Sequence, residues 1–139
     1  MPLYMLDTNV ASAALKGNAD LDERLQQLAP TDWCISAVTR SELSFGVALR
    51  PQATRLARVV EAFLETAVTA PWDEAAADEH GKLRARLRLA GTPIGDFDEM
   101  IAGHALSLAA VLVTDNVKHF ERVEGLVVEN WIRPEAAHS

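Results

Sequence analysis

The sequence holds a single cysteine, Cys34, in 139 residues, which excludes an internal disulfide framework and a cysteine-cluster zinc site. No apolar run is long enough to cross a bilayer, since the longest, Ala105 to Val113, is broken by Ser107. The opening residues, MPLYMLDTNV, lack both a basic region and a long apolar stretch. That speaks against a secretory signal and for a cytoplasmic protein with no membrane association. Basic residues are scarce: 13 Lys and Arg stand against 20 Asp and Glu, a formal charge of −7. A module that grips nucleic acid by bulk electrostatics is usually basic, so this balance argues against one. It leaves room for an enzyme whose carboxylates gather a cation that then meets a phosphate. Repeats, low-complexity tracts and obvious linkers are missing too. What remains is the balance of an ordinary globule, 49% apolar and 24% charged. A chain of this length can bury roughly two thirds of its unfolded surface in one core. We read one domain over residues 1–133, with 134–139 as a short C-terminal tail.

Short apolar runs alternate with helical stretches along the chain. Leu3 to Leu6, Trp33 to Ile35, the neighbourhood of Val68, Val111 to Thr114 and Leu126 to Glu129 have the length and apolar content of buried strands. Between them, helical periodicity covers Val10 to Lys16 and Ala19 to Ala29, with Gly17 and Pro30 as stops. Ser36 can cap a helix running to about Leu49. Further helices cover about Ala53 to Thr66, Asp73 to Ala90, and Asp96 to Ala109. Strands of this kind separated by helices predict an α/β fold in three layers, α/β/α, around a central, mainly parallel sheet.

In such sheets the ligand site lies beyond the carboxyl ends of the strands. Asp7 and Asp115 fall there, each with a plain structural alternative: Asp7 as a helix N-cap, Asp115 as a turn residue. Val38, Glu42, Phe45 and Leu49 lie at i, i+4, i+7 and i+11, a single stripe that is apolar except at Glu42. The pattern predicts that this stripe faces inward and that Glu42 needs a partner, either a salt bridge or a metal ion. Asp96 and Glu99 have the spacing of an N-cap and its capping-box partner, which leaves Asp98 in the first turn without a capping duty. Three or four carboxylates converging from separate elements would make an oxygen-only site suited to Mg²⁺ or Mn²⁺. None of the four histidines is paired at zinc-motif spacing. On the helix from Asp73, Lys82 and Arg86 flank one side of the Leu83/Leu87 stripe, and Arg84 and Arg88 the other. Such bracketing is either snorkelling around an apolar face or a contact to an RNA backbone.

An ordered set of motifs marks the chain more specifically. These are Met5-Leu6-Asp7-Thr8-Asn9, Ser41-Glu42-Leu43-Ser44-Phe45-Gly46, and the stretch Gly91 to Ala105 that contains TPxGxxDxMIAGHA. Leu112 to Phe120, Val123-Glu124-Gly125-Leu126 and Glu129-Asn130-Trp131 complete it. In order and spacing the chain resembles the PIN-domain ribonucleases, and within them the VapC toxins of VapBC toxin–antitoxin pairs.

The resemblance implies hydrolysis of RNA phosphodiester bonds with Mg²⁺ or Mn²⁺. Asp7, Glu42 and Asp98 match the family's acidic residues; Asp98 rather than Asp96 is the match, standing three residues before Ile101. Asp7, Glu42 and Asp98 are the implied metal ligands. Thr8 and Asn9 match residues lining the same pocket, and the fourth acidic position falls in Asp115-Asn116. There we favour Asn116 as the pocket residue and Asp115 as an outer contact. The resemblance further implies a VapB-type antitoxin that docks a segment over the site, a homodimer within a larger complex, and tRNA as substrate, in the manner of the group that cuts initiator tRNA in its anticodon loop. Two other families that begin with a strand and an Asp fit poorly. A haloacid-dehalogenase-type phosphatase needs an acid where Asn9 stands, and a response-regulator receiver needs an acidic pair where Asp7 is alone. A PIN-like protein that binds RNA or a partner without cleaving is the remaining alternative, and Asp7, Glu42 and Asp98 argue against it.

Overall fold

The computed structural model describes residues 2–132, so the tail assigned to 134–139 lies outside the described residues. Five strands form one sheet: β1 (Tyr4–Leu6), β2 (Trp33–Ser36), β3 (Thr69–Ala70), β4 (Val111–Val113) and β5 (Val128–Glu129). Their spatial order is β3-β2-β1-β4-β5, and every pairing is parallel. Tyr4, Met5 and Leu6 of β1 face Trp33, Cys34 and Ile35 on one side and Val111, Leu112 and Val113 on the other. The expected α/β architecture with a parallel sheet is therefore what the chain adopts.

Among the described residues, seven α-helices connect and cover the strands: α1 (Thr8–Lys16), α2 (Ala19–Gln26), α3 (Ala37–Ala48), α4 (Thr54–Thr66), α5 (Glu74–Leu89), α6 (Asp96–Ser107) and α7 (Val117–Phe120). Successive residues of a strand point to opposite faces. Met5, Cys34 and Leu112 accordingly pack with Leu83 and Leu87 of α5 and Ile101 and Ala105 of α6. Leu6, Ile35 and Val113 pack on the other face with Val10 of α1, Leu21 of α2 and Val60 of α4. Each of these leucines and isoleucines stabilises the fold by about 1.5–3 kcal/mol through burial. Cys34 belongs to this interior, where burial pushes its thiol up to about 11 and leaves it unreactive. None of the helices among the described residues is long and apolar enough to cross a membrane.

Several boundaries differ from the sequence expectation. α2 stops at Gln26 and a 3₁₀ turn, Pro30–Asp32, leads into β2, because Pro30 cannot continue a helix. α7, four residues long, is too short to show a period and was not expected. The stripe on α3 is also revised. Its buried residues are Val38, Thr39 and Leu43, whereas Phe45 and Leu49 are 64% and 62% exposed. The inward face runs through 39, 43 and 47, one residue round from the apolar row in the sequence. Glu42 thus lies at the edge of the buried face rather than within it.

α5 and α6 approach closely at Gly103, where an added Cβ would sit 2.6 Å from His80 Cα. The obstacle is backbone, so the two helices must part to admit even a methyl group. Gly103→Ala is expected to cost about 1–3 kcal/mol by overpacking. A thermal melt should show the midpoint falling by several degrees, and an unchanged midpoint would contradict this packing.

Candidate active site

Asp7 follows directly on the central strand. Its N–H donates to the Val113 carbonyl at 3.0 Å, and its Oδ1 accepts from the Val10 N–H at 2.9 Å, which caps α1. It is 3% exposed. The Thr114 hydroxyl donates to the same carboxylate and accepts from the Asn116 N–H at 2.9 Å. Burial pushes the Asp7 pKa up to about 6 against these two hydrogen bonds, and the negative charges of Asp98 and Asp115 push it the same way. The capping role foreseen for Asp7 is real, but it does not explain why the charged groups acting on it are both acidic. The order β2-β1-β4 makes this the point where the chain switches direction across the sheet, the usual place for a ligand in an open parallel sheet.

Two further acidic groups act on Asp7 through their charge, Asp98 and Asp115, and a third, Glu42, is tied to its neighbour Thr8. The Thr8 hydroxyl, next in sequence, donates to Glu42 Oε1 on α3 at 2.5 Å. With its proton spent there, Thr8 accepts from the Thr39 hydroxyl at 3.1 Å. Glu42 therefore has hydroxyl partners, and among the described residues it enters no salt bridge, the alternative that the sequence left open. Asp98, in the first turn of α6, is half-buried. Burial raises its pKa, while His119 at 3.1 Å lowers it and Glu99 raises it. Asp115, after β4, accepts from Asn130 Nδ2 at 3.2 Å and reaches Asp7 through its charge.

Not every expected side chain joins this group. Asn9 is exposed on α1, and Asn116 is exposed at the start of α7, where its side chain makes no capping hydrogen bond. Between the two residues of the fourth position, the charge that acts on Asp7 is that of Asp115. The N-cap of α6 is Gly95, not Asp96, which is exposed. Glu99 is instead 2% exposed, and its Oε2 accepts from the Ile94 N–H at 3.1 Å. The capping box fails because Gly95 has a φ of 107° and supplies no side chain. Among the described residues, no three His, Cys, Asp or Glu close on one point as a ready-made metal cage.

The basic residues of α5 have separate fates. Lys82 pairs with Glu79 at 3.7 Å, an exposed pair of little energetic weight. Arg84 Nε lies 3.9 Å from Glu99 Oε1, which places it over the first turn of α6. Arg86 and Arg122 line a hollow of about 190 Å³, and Arg88 is exposed. Leu83 and Leu87 between them are buried, so the apolar stripe with its charged flanks stands as read. A larger groove of about 480 Å³ opens between α1, α3 and α4, with Thr8 and Glu42 in its lining, an apolar wall that includes Leu15 and Val47, and Arg50 and Arg55.

The sequence reading missed Thr39, Thr114, His119 and Asn130. Each acts through a contact between elements distant in sequence, for which neither spacing nor periodicity carries a signal.

A doubly wound parallel sheet with acidic residues gathered at its switch point defines the class, and comparison with known proteins makes it specific. The PIN domain family profile matches residues 4–126. The chain is 41% identical over 92% of its length to the tRNA(fMet)-specific endonuclease VapC of Shigella flexneri, covering 97% of that protein. It is 38% identical to the enzyme of the same name from Salmonella typhimurium, over 92% of this chain and 97% of that one. Among solved structures, DNA-bound VapBC from Salmonella typhimurium superposes with a TM-score of 0.88 at 38% identity, covering 94% of this chain and 99% of that one. VapBC2 from Rickettsia felis, bound to a DNA fragment from its promoter, gives 0.87 at 32% identity, with 93% and 98% covered. The chain belongs to the PIN-domain family, in its VapC branch.

Proposed function

We propose that this chain is a cytoplasmic toxin, an endoribonuclease that hydrolyses phosphodiester bonds in tRNA with Mg²⁺ or Mn²⁺, carried by a single domain over residues 1–133. The observation that carries the reading is Asp7: a carboxylate at the sheet's switch point whose ionisation is opposed first by burial and then by the charges of Asp98 and Asp115. A divalent cation relieves that opposition. The donor set is all oxygen, which suits hard ions. Mg²⁺ retains several waters and needs only one or two carboxylates, so a closed cage is unnecessary. Asp7 and Asp98 would hold it, with Asp115 in the surrounding field.

When bound, the cation neutralises charge on the scissile phosphate and lowers the pKa of water. The chain's own residues supply the rest. The Val10 N–H and the Thr114 hydroxyl orient the Asp7 carboxylate. Thr39 and Thr8 form a chain of hydroxyls that fixes Glu42 by one oxygen. Arg84, over the first turn of α6, would meet the RNA backbone, with Lys82, Arg86 and Arg88 on the same helix. Initiator tRNA is the substrate we favour, since the Shigella and Salmonella relatives are named for tRNA(fMet).

The partner is a VapB-type antitoxin, supported by the VapBC complexes among the structural relatives. The groove between α1, α3 and α4 fits an apolar segment of it that carries acidic side chains for Arg50 and Arg55. Self-association as a homodimer would cover Phe45 and Leu49, which the single chain leaves exposed.

Cleavage of tRNA by the purified chain is expected to stop in EDTA and to return on adding Mg²⁺ or Mn²⁺. Cleavage at an undiminished rate in EDTA would refute the mechanism.

A further inference from the structure

His119 has no role in the reading above, yet it touches the centre of the site. Its Nε2 lies 2.7 Å from the Ile94 carbonyl oxygen and 3.1 Å from Asp98 Oδ2. A carbonyl oxygen can only accept, so Nε2 carries a proton, and that one N–H is shared with the Asp98 carboxylate. The ring is half-buried and rests edge-on against Phe120, whose side chain is 1% exposed in the core. Phe120 anchors α7 beneath it, and the Ile94 carbonyl fixes the direction of the N–H from the far side. The donor is therefore held by two contacts that do not involve Asp98.

Asp98 lacks such anchorage of its own. It sits in the first turn of α6, its side chain is 41% exposed, and among the described residues no backbone N–H or hydroxyl holds it as Val10 and Thr114 hold Asp7. A carboxylate this exposed would lose rotamer freedom on taking a cation, and an outside donor that selects one rotamer beforehand reduces that cost.

We propose that His119 is a positioning residue for the cation site: its Nε2–H holds Asp98 by Oδ2 and leaves the other carboxylate oxygen for the metal. The inference rests on the metal-dependent reading given above and adds to it the group that prepares one of its two ligands. It makes α7 part of the site although α7 supplies no ligand. The loop Thr114-Asp115-Asn116 that follows β4 thus serves twice, bringing Asp115 into the field of Asp7 and leading into the helix that carries His119.

The test is Mn²⁺ binding by the intact protein, read by electron paramagnetic resonance of free Mn²⁺ without any RNA. His119→Ala is expected to weaken binding by roughly 10–100-fold, the usual effect of losing a group that orients a ligand. His119→Gln can place an amide N–H near the position of Nε2 and is expected to recover most of the loss. A role confined to packing would not be rescued by Gln, which lacks the ring. Wild-type affinity in the Ala variant, or a Gln variant as weak as Ala with the same melting temperature, would overturn the assignment. So would ¹⁵N chemical shifts of the wild-type ring showing Nε2 unprotonated, a measurement that needs no variant. Failure of the wild-type protein to bind Mn²⁺ at all is a different result and would overturn the metal reading itself.

Discussion

Asp98→Asn is expected to lower the rate of RNA cleavage by at least about 10²-fold, the scale on which removing one electrostatic group from a reaction centre is felt. The change keeps the size of the side chain and removes its charge. The amide oxygen of the substituted side chain could still accept from the His119 N–H, so the fold of α6 should be untouched. Asp115→Ala is expected to cost less, on the order of 10-fold, because Asp115 is held by Asn130 and reaches Asp7 through its field. Rates measured on one tRNA substrate at saturating Mg²⁺, with both variants folded by circular dichroism, separate the two roles. Equal losses would make Asp115 a direct ligand.

Asp7→Asn is expected to do something less usual: abolish cleavage while raising the melting temperature of the metal-free protein. The folded-state pKa of about 6 stands above the ordinary 3.8, so burial disfavours the charged form. Well below pH 3.8 the group is protonated in both the folded and unfolded states, and no penalty arises. As the pH rises from 4 through 6, the unfolded chain ionises first and stability is lost. Above the folded pKa the loss is complete, at most about 3 kcal/mol. Asparagine cannot ionise, and its amide oxygen can still accept from the Val10 N–H. In EDTA at pH 7.5 the variant should therefore melt higher than the wild type by roughly 5–10 °C, with the difference closing near pH 4. Added Mn²⁺ should reverse the ranking. A variant that melts lower than the wild type at pH 7.5 in EDTA would show that Asp7 stabilises the fold by its charge.

The parallel sheet was readable because its strands are short, apolar and separated by helices. The register that alternates Met5 and Leu6 between two cores follows from the pleat. Asp7 could be placed because it directly follows one of these runs. Glu42 shows where periodicity misleads. Phe45 and Leu49 are apolar yet exposed, so the apolar row on α3 does not mark its interior face. An apolar row of this kind need not mark the core face, because exposed apolar residues are also common on surfaces that meet partners. The N-terminus of α6 misled for a local reason: a glycine at positive φ took the capping position, and Glu99 reached past it to the Ile94 N–H. The hydroxyls and the histidine that hold the carboxylates were invisible because each lies tens of residues from the group it touches. The motifs common to the VapC branch supplied Asp98, which no argument from capping or stripe could single out.

The position of β1 bears on how such an enzyme can be silenced. It is the middle strand, bonded along both edges, and Met5 and Leu6 are fully buried in opposite cores. Asp7 continues that strand and is tied to Val113 across the sheet. Exchange of these amides with solvent deuterium should therefore require opening of the whole domain. A partner with ordinary affinity has no means of melting so central a segment. Control by a bound protein is then expected to act by occlusion, seating a blocking group over intact carboxylates, and release of that partner should return full activity without any refolding delay.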